Sequence, residues 1–326
     1  YPDIGESTKK AVRELAAKWN YRPNSLAAGL RQQRSGIIGV LVPELVHHFF
    51  SSAISGIMDE AEEHGYCAML FQSGESSARE QRDTNTLLNS RVDGLLASLS
   101  NDAEALPHFE EAQRMGVPVV MFDKVDQEFP CSKVVVSDFE GAKMAVEHLL
   151  EQGHRQIGYI KGPKLPLNSR ERMRGYQEAL AGHSIPFQPQ LVCECVEVSQ
   201  EEGYRFTREI LAQSPRPSAL FCATDLVAMG AIKAIKEAGL CIPQDIALVG
   251  FSNWQISQVV EPALTSVHQP GYEMGRKATQ LLLEEMLHKG QAPYQHTTIE
   301  LPTQLMVRQS SVYTLPEDSS HREQVS

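Results

Sequence analysis

The chain has 326 residues, of which 42% are hydrophobic and 22% charged, the profile of a globular protein rather than a disordered one. No uninterrupted apolar run reaches the roughly 18 residues that a membrane helix needs, and the opening YPDIGESTKK lacks the basic-then-apolar order of a secretory leader. The formal net charge is −11, unevenly spread: residues 1–35 hold seven Lys and Arg against Asp3, Glu6 and Glu14, a net of +4, which leaves about −15 on the remainder. A short basic arm on an acidic body suggests an arm that meets a polyanion and a body with another task.

From residue 36 the pattern alternates strand and helix. IIGVLVP (37–43) is a continuous apolar run, as a strand buried on both faces should be. A helix-period stretch runs from Phe49 to His64 and stops at Gly65, before the strand YCAMLFQS. The cycle repeats with a helix over 78–89 and GLLAS, then a helix over 102–115, Gly116 and VPVVMFD. A strand VVVS, a helix over 140–152, Gly153 and QIGYIKG follow. A helix over 170–182, a strand over 191–196, a helix over 200–213, ALFCATD, a helix over 226–238, Gly239 and IALVGFS complete the run. Regular βα repeats predict parallel sheets with helices on both faces, and so many strands exceed one comfortable sheet. The fold class read from this is α/β, with two doubly wound parallel-sheet lobes. The polar stretch after about 316 reads as a disordered tail.

In open α/β sheets ligands bind beyond the carboxyl ends of strands. That rule singles out Pro43–Phe50, Asp123 and Lys124, Gly162–Arg172, Thr224 and Asp225, and Ser252 and Asn253. They come from both lobes, so a cleft that closes around a small molecule is expected. The six cysteines read as buried free thiols; Cys193-x-Cys195 has no partners at zinc spacing, and His47-His48 reads as loop surface. No metal and no cofactor is expected. The chain has no G-x-G-x-x-G after a strand, no G-x-x-x-x-G-K-[ST], no H-E-x-x-H and no G-x-S-x-G, so an enzyme is not expected.

An ordered set of motifs carries a resemblance: YRPNSLAAGLR (21–31), RSGIIGVLVP (34–43), VDGLLAS (92–98), GVPVVMFD (116–123), GHRQIGYIKGP (153–163), RMRGYQEAL (172–180), the long run 217–253 ending in GFSN, and PALTSVHQP (262–270). Each alone is weak; in this order, over essentially all of 1–310, the chain resembles the LacI-type transcription regulators. The resemblance implies a helix-turn-helix headpiece, a hinge helix and a two-lobed effector domain like periplasmic sugar-binding proteins. The divisions it implies are 1–35 for a partial headpiece and hinge helix, 36–137 plus 269–292 for the first lobe, and 138–268 plus 293–316 for the second, with 317–326 as tail.

For the arm, the resemblance implies a last headpiece helix at about Ser7–Trp19, capped by Glu6, Ser7 or Thr8, and a hinge helix at about Asn24–Leu30. Two further helices would precede this chain, which lacks an initiator Met, and the second of them would read the major groove. Asn24 and Ala27 fall in the hinge helix, Leu30 matches an apolar wedge that opens a minor-groove base step, and Arg31 would meet phosphate. Gly29 stands where a larger residue is usual and costs about 1 kcal/mol in a helix, so the hinge should unfold readily without DNA.

For the cleft, Phe49 and Phe50 match an aromatic position that stacks on an effector ring. Asp123 and Lys124 match a position that hydrogen-bonds sugar hydroxyls. Arg172 matches the arginine that grips the effector; it is expected at a cleft surface, so that its removal harms effector affinity and leaves folding alone. Purine-type members have arginine and threonine at the positions of Pro166 and Asn168, and this chain does not. Thr224 holds a place often taken by Asn, with Asp225 after it, and Val198 stands where some relatives have an aromatic lid. Ser252 replaces a frequent Asp, Asn253 follows, and Gln269 is a polar contact at the lobe crossing.

Together these features predict a cytoplasmic DNA-binding regulator, a repressor, with operator DNA, a small effector (a sugar or sugar derivative) and a second copy of itself as partners, and no membrane. The segment 42–61 and the helix near 226–238 offer apolar stripes for a two-fold interface, and no leucine-heptad stretch follows residue 310 to build a tetramer. The competing reading is a periplasmic-type sugar-binding protein for uptake, which shares the two lobes but should lack the basic hinge arm.

Overall fold

The computed structural model of the protein describes residues 5–19, 34–45, 48–288 and 294–312. Asn24, Ala27, Leu30 and Arg31, with the rest of the expected hinge helix, lie outside them, as does the tail 317–326.

The chain runs α1 (Glu6–Lys18), β1 (Ile37–Val42), α2 (His48–Glu63), β2 (Cys67–Gln72), α3 (Ser77–Asn89), β3 (Gly94–Ala97), α4 (Pro107–Arg114), β4 (Val119–Phe122) and β5 (Ser132–Val136). Then come α5 (Asp138–Glu151), β6 (Ile157–Lys161), α6 (Leu167–Gly182), β7 (Val192–Glu194), α7 (Gln200–Leu211), β8 (Ala219–Cys222), α8 (Asp225–Glu237) and β9 (Ala247–Ser252). The short α9 (Ile256–Val259), β10 (Thr265–His268), α10 (Gly271–Leu287), β11 (Thr298–Leu301) and β12 (Gln304–Met306) close the order. No helix among the described residues is long and apolar enough to cross a membrane.

Two six-stranded sheets result, ordered β11-β5-β4-β3-β1-β2 and β12-β10-β9-β8-β6-β7. Every pairing is parallel except β10 with β12. Helices cover both faces of each. In the first sheet, α2 and α10 bury Phe50, Ile57, Met274 and Leu282 on one face, while α3 and α4 bury Leu87 and Phe109 on the other. In the second, α5 and α6 pack Val146, Leu149 and Tyr176, opposite Phe206, Ile210 and Ile235 of α7 and α8. This is why the strands read as unbroken apolar runs: both faces are dry.

The α2–α10 pair fits only because Gly56 and Gly275 lie at the crossing. A Cβ on Gly56 would run into the Tyr272 carbonyl oxygen, and one on Gly275 into that of Ala53. The apolar stripe of α2 (Phe49, Phe50, Ala53, Ile57) is therefore used inside the chain, as is that of α8 (Val227, Ala228, Ala231, Ile235). The expectation that these stripes form a two-fold interface loses its basis. Of the α2 residues, Met58 is the large apolar one turned to solvent, 54% exposed.

Three chain crossings join the lobes: at Ser137, at Gln269–Pro270 and at Pro302–Thr303. The third differs from the expected change of lobe at 293. β11 pairs with β5, Ile299 beside Val134 and Leu301 beside Val136, and Leu301 joins the first core. The chain reaches the second sheet only at Gln304.

Other boundaries also shift. The helix expected over 102–115 begins at Pro107, whose fixed φ suits a first helical turn. Asp102 instead accepts the Ser77 amide at 2.7 Å, ahead of α3. α1 is capped by Gly5, whose carbonyl takes the Thr8 and Lys9 amides; Glu6, Ser7 and Thr8 lie inside the helix. No residue of α1 is buried. All six thiols are free, but Cys67 and Cys241 are exposed rather than buried.

Candidate functional site: an interlobe cavity at the strand ends

In each sheet the strand order reverses beside its first strand, between β1 and β3 and between β6 and β8. Crevices open at such points because the following loops diverge to opposite faces. The two crevices face each other across a cavity partly open to solvent, the kind of concave space between lobes where small ligands bind. The first lobe supplies Phe49 and Phe50 at the start of α2, Glu75 after β2, Asn101 after β3, and Asp123 and Lys124 after β4. The second supplies the β6–α6 loop with Asn168, Ser169 and Arg172, then Val198, Ala223, Thr224, Ser252 and Trp254, and Gln269 comes from the crossing.

Ten of the twelve cleft residues singled out from sequence stand on this wall: Phe49, Phe50, Asp123, Lys124, Asn168, Arg172, Val198, Thr224, Ser252 and Gln269. Asp225 and Asn253 do not. Asp225 is fully buried behind the wall, where its carboxylate accepts the Trp254 amide and Ser257 hydroxyl at 2.7 Å and the Ser266 hydroxyl at 2.6 Å. Burial pushes it up to about 6 against the pull of those donors. It is a strut tying α8 to the loop after β9, to α9 and to β10. Asn253 accepts from Arg308 Nη2 at 2.6 Å through its side chain and donates its amide to Ser266. Both Ser252 (φ 102°) and Asn253 (φ 49°) hold left-handed backbone. Such conformations cost about 1–3 kcal/mol each and persist where surrounding bonds over-determine them.

On the first-lobe side, the Phe49 and Phe50 rings meet edge to face, with centroids 5.3 Å apart. Lys124 Nζ donates to Glu75 Oε1 at 2.5 Å and to Asn101 Oδ1 at 2.7 Å, which fixes the ammonium at the rim. Asp123 is different. It is 6% exposed, its φ is 59°, and among the described residues its carboxylate takes no hydrogen bond. Burial above all pushes it up to about 7, with Asp138 and Glu75 adding to the rise and Lys124 and Arg172 opposing it.

On the second-lobe side, Arg172 reaches the cavity wall as expected but is only 6% exposed, most of its side chain being held by the fold. Its Nε donates to Asp138 Oδ1 at 2.8 Å, its Nη1 donates to the Ala223 carbonyl at 2.7 Å, and the guanidinium lies 3.7 Å from the Phe251 ring centroid. Burial raises Asp138, and the guanidinium beside it pulls the other way. Arg172 is thus half structural, with Nη2 left over. Thr224 caps α8, its hydroxyl accepting the Val227 amide. Ser252 Oγ donates to Gln269 Oε1 at 2.8 Å, which orients the Gln269 amide. Gln269 Nε2 and Ser169 Oγ are buried polar atoms with no partner among the described residues. Two such atoms on one cavity wall are what a polar ligand would satisfy.

Glu75 and Asn101 were missed from sequence, although the strand-end rule applied to β2 and β3 points to them as it does to Asp123. Ser169 falls in the Gly162–Arg172 stretch that the rule singled out, while Trp254 was missed from sequence. The chemistry on the wall is that of binding: aromatic faces, oriented amides and hydroxyls, Lys124 and Arg172 already paired, and one open carboxyl at Asp123. Lobes joined by three strand-end crossings, with a ligand cavity between them, define a periplasmic-binding-protein-like effector domain.

A family model for the periplasmic binding protein-like domain matches residues 146–311. The chain is 30% identical, over 95% of its length and 92% of the relative's, to catabolite control protein A of Priestia megaterium. Among solved structures, the complex of the transcriptional regulator CelR with cellobiose superposes with a TM-score of 0.78 at 27% identity, covering 94% of this chain and 92% of that one. A LacI family transcriptional regulator from Enterococcus faecium with bound ribose gives a TM-score of 0.74 at 27% identity, covering 84% and 98%. The protein belongs to the LacI family of transcriptional regulators.

Proposed function

We propose that this regulator binds operator DNA as a homodimer in the cytoplasm and that a small carbohydrate, held in the interlobe cavity, sets its affinity for that DNA. The observation that carries the effector half is the wall itself: the unpartnered Ser169 Oγ and Gln269 Nε2 and the open Asp123 carboxylate face the same space as two phenylalanine rings. Hydroxyl groups satisfy the first set, and the apolar face of a sugar ring covers the second. The cellobiose and ribose bound by the two structural neighbours are of this class. Pro166 and Asn168 stand where purine-type members carry arginine and threonine, which favours a sugar over a purine.

Control follows from the crossings. A ligand that touches both lobes favours one mutual arrangement, and it shifts the equilibrium only by its difference in affinity for the two. The arm with Asn24, Ala27, Leu30 and Arg31 is the element that reports the arrangement to DNA, Leu30 as an apolar wedge and Arg31 on phosphate. The test is paired: calorimetry against a panel of sugars, and operator affinity with and without the sugar that binds. A bound sugar that leaves operator affinity unchanged within twofold would sink the proposal. Leu30→Ala should weaken operator binding without altering sugar affinity.

A further inference from the structure

The α6 N-terminus carries more than a sugar needs. β6 ends at Lys161, and the loop Gly162–Pro166 leads into α6 with Pro166 at the cap. No acidic side chain lies in its first turn. The Ser169 amide is taken by Asn168 Oδ1 at 2.7 Å, while the amides of Leu167 and Asn168 find no acceptor among the described residues. Free amides and the helix dipole together favour an anion.

A second observation points the same way. Ser169 is 7% exposed, its hydroxyl has no partner among the described residues, and it lines two spaces at once: the interlobe cavity and an adjoining groove with Lys161, Lys164 and Arg170. Gly162 lets the loop come this close, since a Cβ there would lie 3.2 Å from Ser169 Oγ. The basic groups are not all compensated. Lys161 is paired with Glu194 and Arg174 with Glu171, but Lys164 and Arg170 have no carboxylate within ion-pair distance among the described residues. Asp126 borders a neighbouring hollow with Arg170, its Oδ1 taking the Glu128 and Phe129 amides.

We infer that the effector bears an anionic group, a phosphate or a carboxylate, which seats at the α6 N-terminus on Ser169 Oγ with Lys164 and Arg170 beside it. This rests on the carbohydrate reading for the rest of the ligand, and the two separate cleanly. At constant ionic strength, binding of glucose, glucose 6-phosphate, ribose, ribose 5-phosphate and glucuronate is measured by calorimetry, and inorganic phosphate by its shift of Tm. The chain is compared with Lys164→Gln/Arg170→Gln and with Ser169→Ala, the first altering exposed residues that folding does not need.

The expected result is at least a tenfold preference for a charged member over its neutral partner. The double variant should abolish that preference while moving neutral sugars by less than twofold, and Ser169→Ala should reduce it severalfold. Preference for the esters assigns a phosphate, preference for glucuronate a carboxylate. If inorganic phosphate raises Tm through Lys164 and Arg170 and no sugar binds, the anion site stands and the sugar reading fails. If neutral sugars bind as tightly as charged ones, or no anion shows an effect that the double variant removes, the inference is overturned.

Discussion

Two aspartates follow strands of the two lobes, Asp123 after β4 and Asp225 after β8, and they end in opposite situations. Asp225 holds three donors and is sealed behind the wall. Asp123 is almost as buried and holds none. Both carboxyls are pushed up, to about 6 and about 7, and burial is the first cause in each. What separates them is whether the fold itself supplies the hydrogen bonds. A buried polar group that the fold satisfies is part of the frame; one that it leaves open is available to a ligand.

The contrast breaks most visibly at Arg172, which belongs to both classes. Arg172→Ala leaves Asp138 buried without its cation, and removal of one member of a buried pair costs about 3–5 kcal/mol. Urea unfolding should register that loss even without effector. A variant of unchanged stability would return Arg172 to the role of a pure ligand contact. Next comes Asp225→Ala. It orphans two hydroxyls and an amide, for an expected loss of about 2–4 kcal/mol, again read by urea unfolding, with sugar affinity per folded molecule little changed.

Asp123→Asn should be the mildest in stability, within about 1 kcal/mol at pH 5, because no bond of the fold is lost. Its signature is in pH. The unfolded carboxyl releases its proton near 3.8 and the folded one near 7. Between those values the folded state binds more protons than the unfolded, so stability falls as pH rises from about 4 to 7. Asp225 contributes a slope of the same sign that ends near pH 6. The variant should therefore flatten the stability profile most clearly between pH 6 and 7. A profile identical to that of the parent across this window would mean that Asp123 is not the open group described here.

The βα alternation was legible because the central strands are buried on both faces and four of the helices stop at a glycine of positive φ: Gly65, Gly116, Gly153 and Gly239. The cavity positions were legible through one topological rule, that loops beyond strand carboxyl ends meet at the crevice, and the family motifs sharpened it at Phe49, Arg172 and Gln269. Asp225 shows the limit of that rule. It follows its strand as Asp123 does, and only the placement of Ser257, Ser266 and the Trp254 amide around it turns it inward.

Sequence by itself determined the local elements, the α/β class and the set of residues that could reach the cleft, because these depend on hydrophobic period and on neighbours a few residues away. Tertiary structure decided the rest. It placed β11 in the first sheet, each of its residues beside a β5 residue 165 positions earlier, as Leu301 is beside Val136, used the α2 stripe against α10, and buried Arg172 on Asp138. Each of these is a contact between segments distant in the chain, whose free energy depends on which partner is present and not on the pattern of either segment alone.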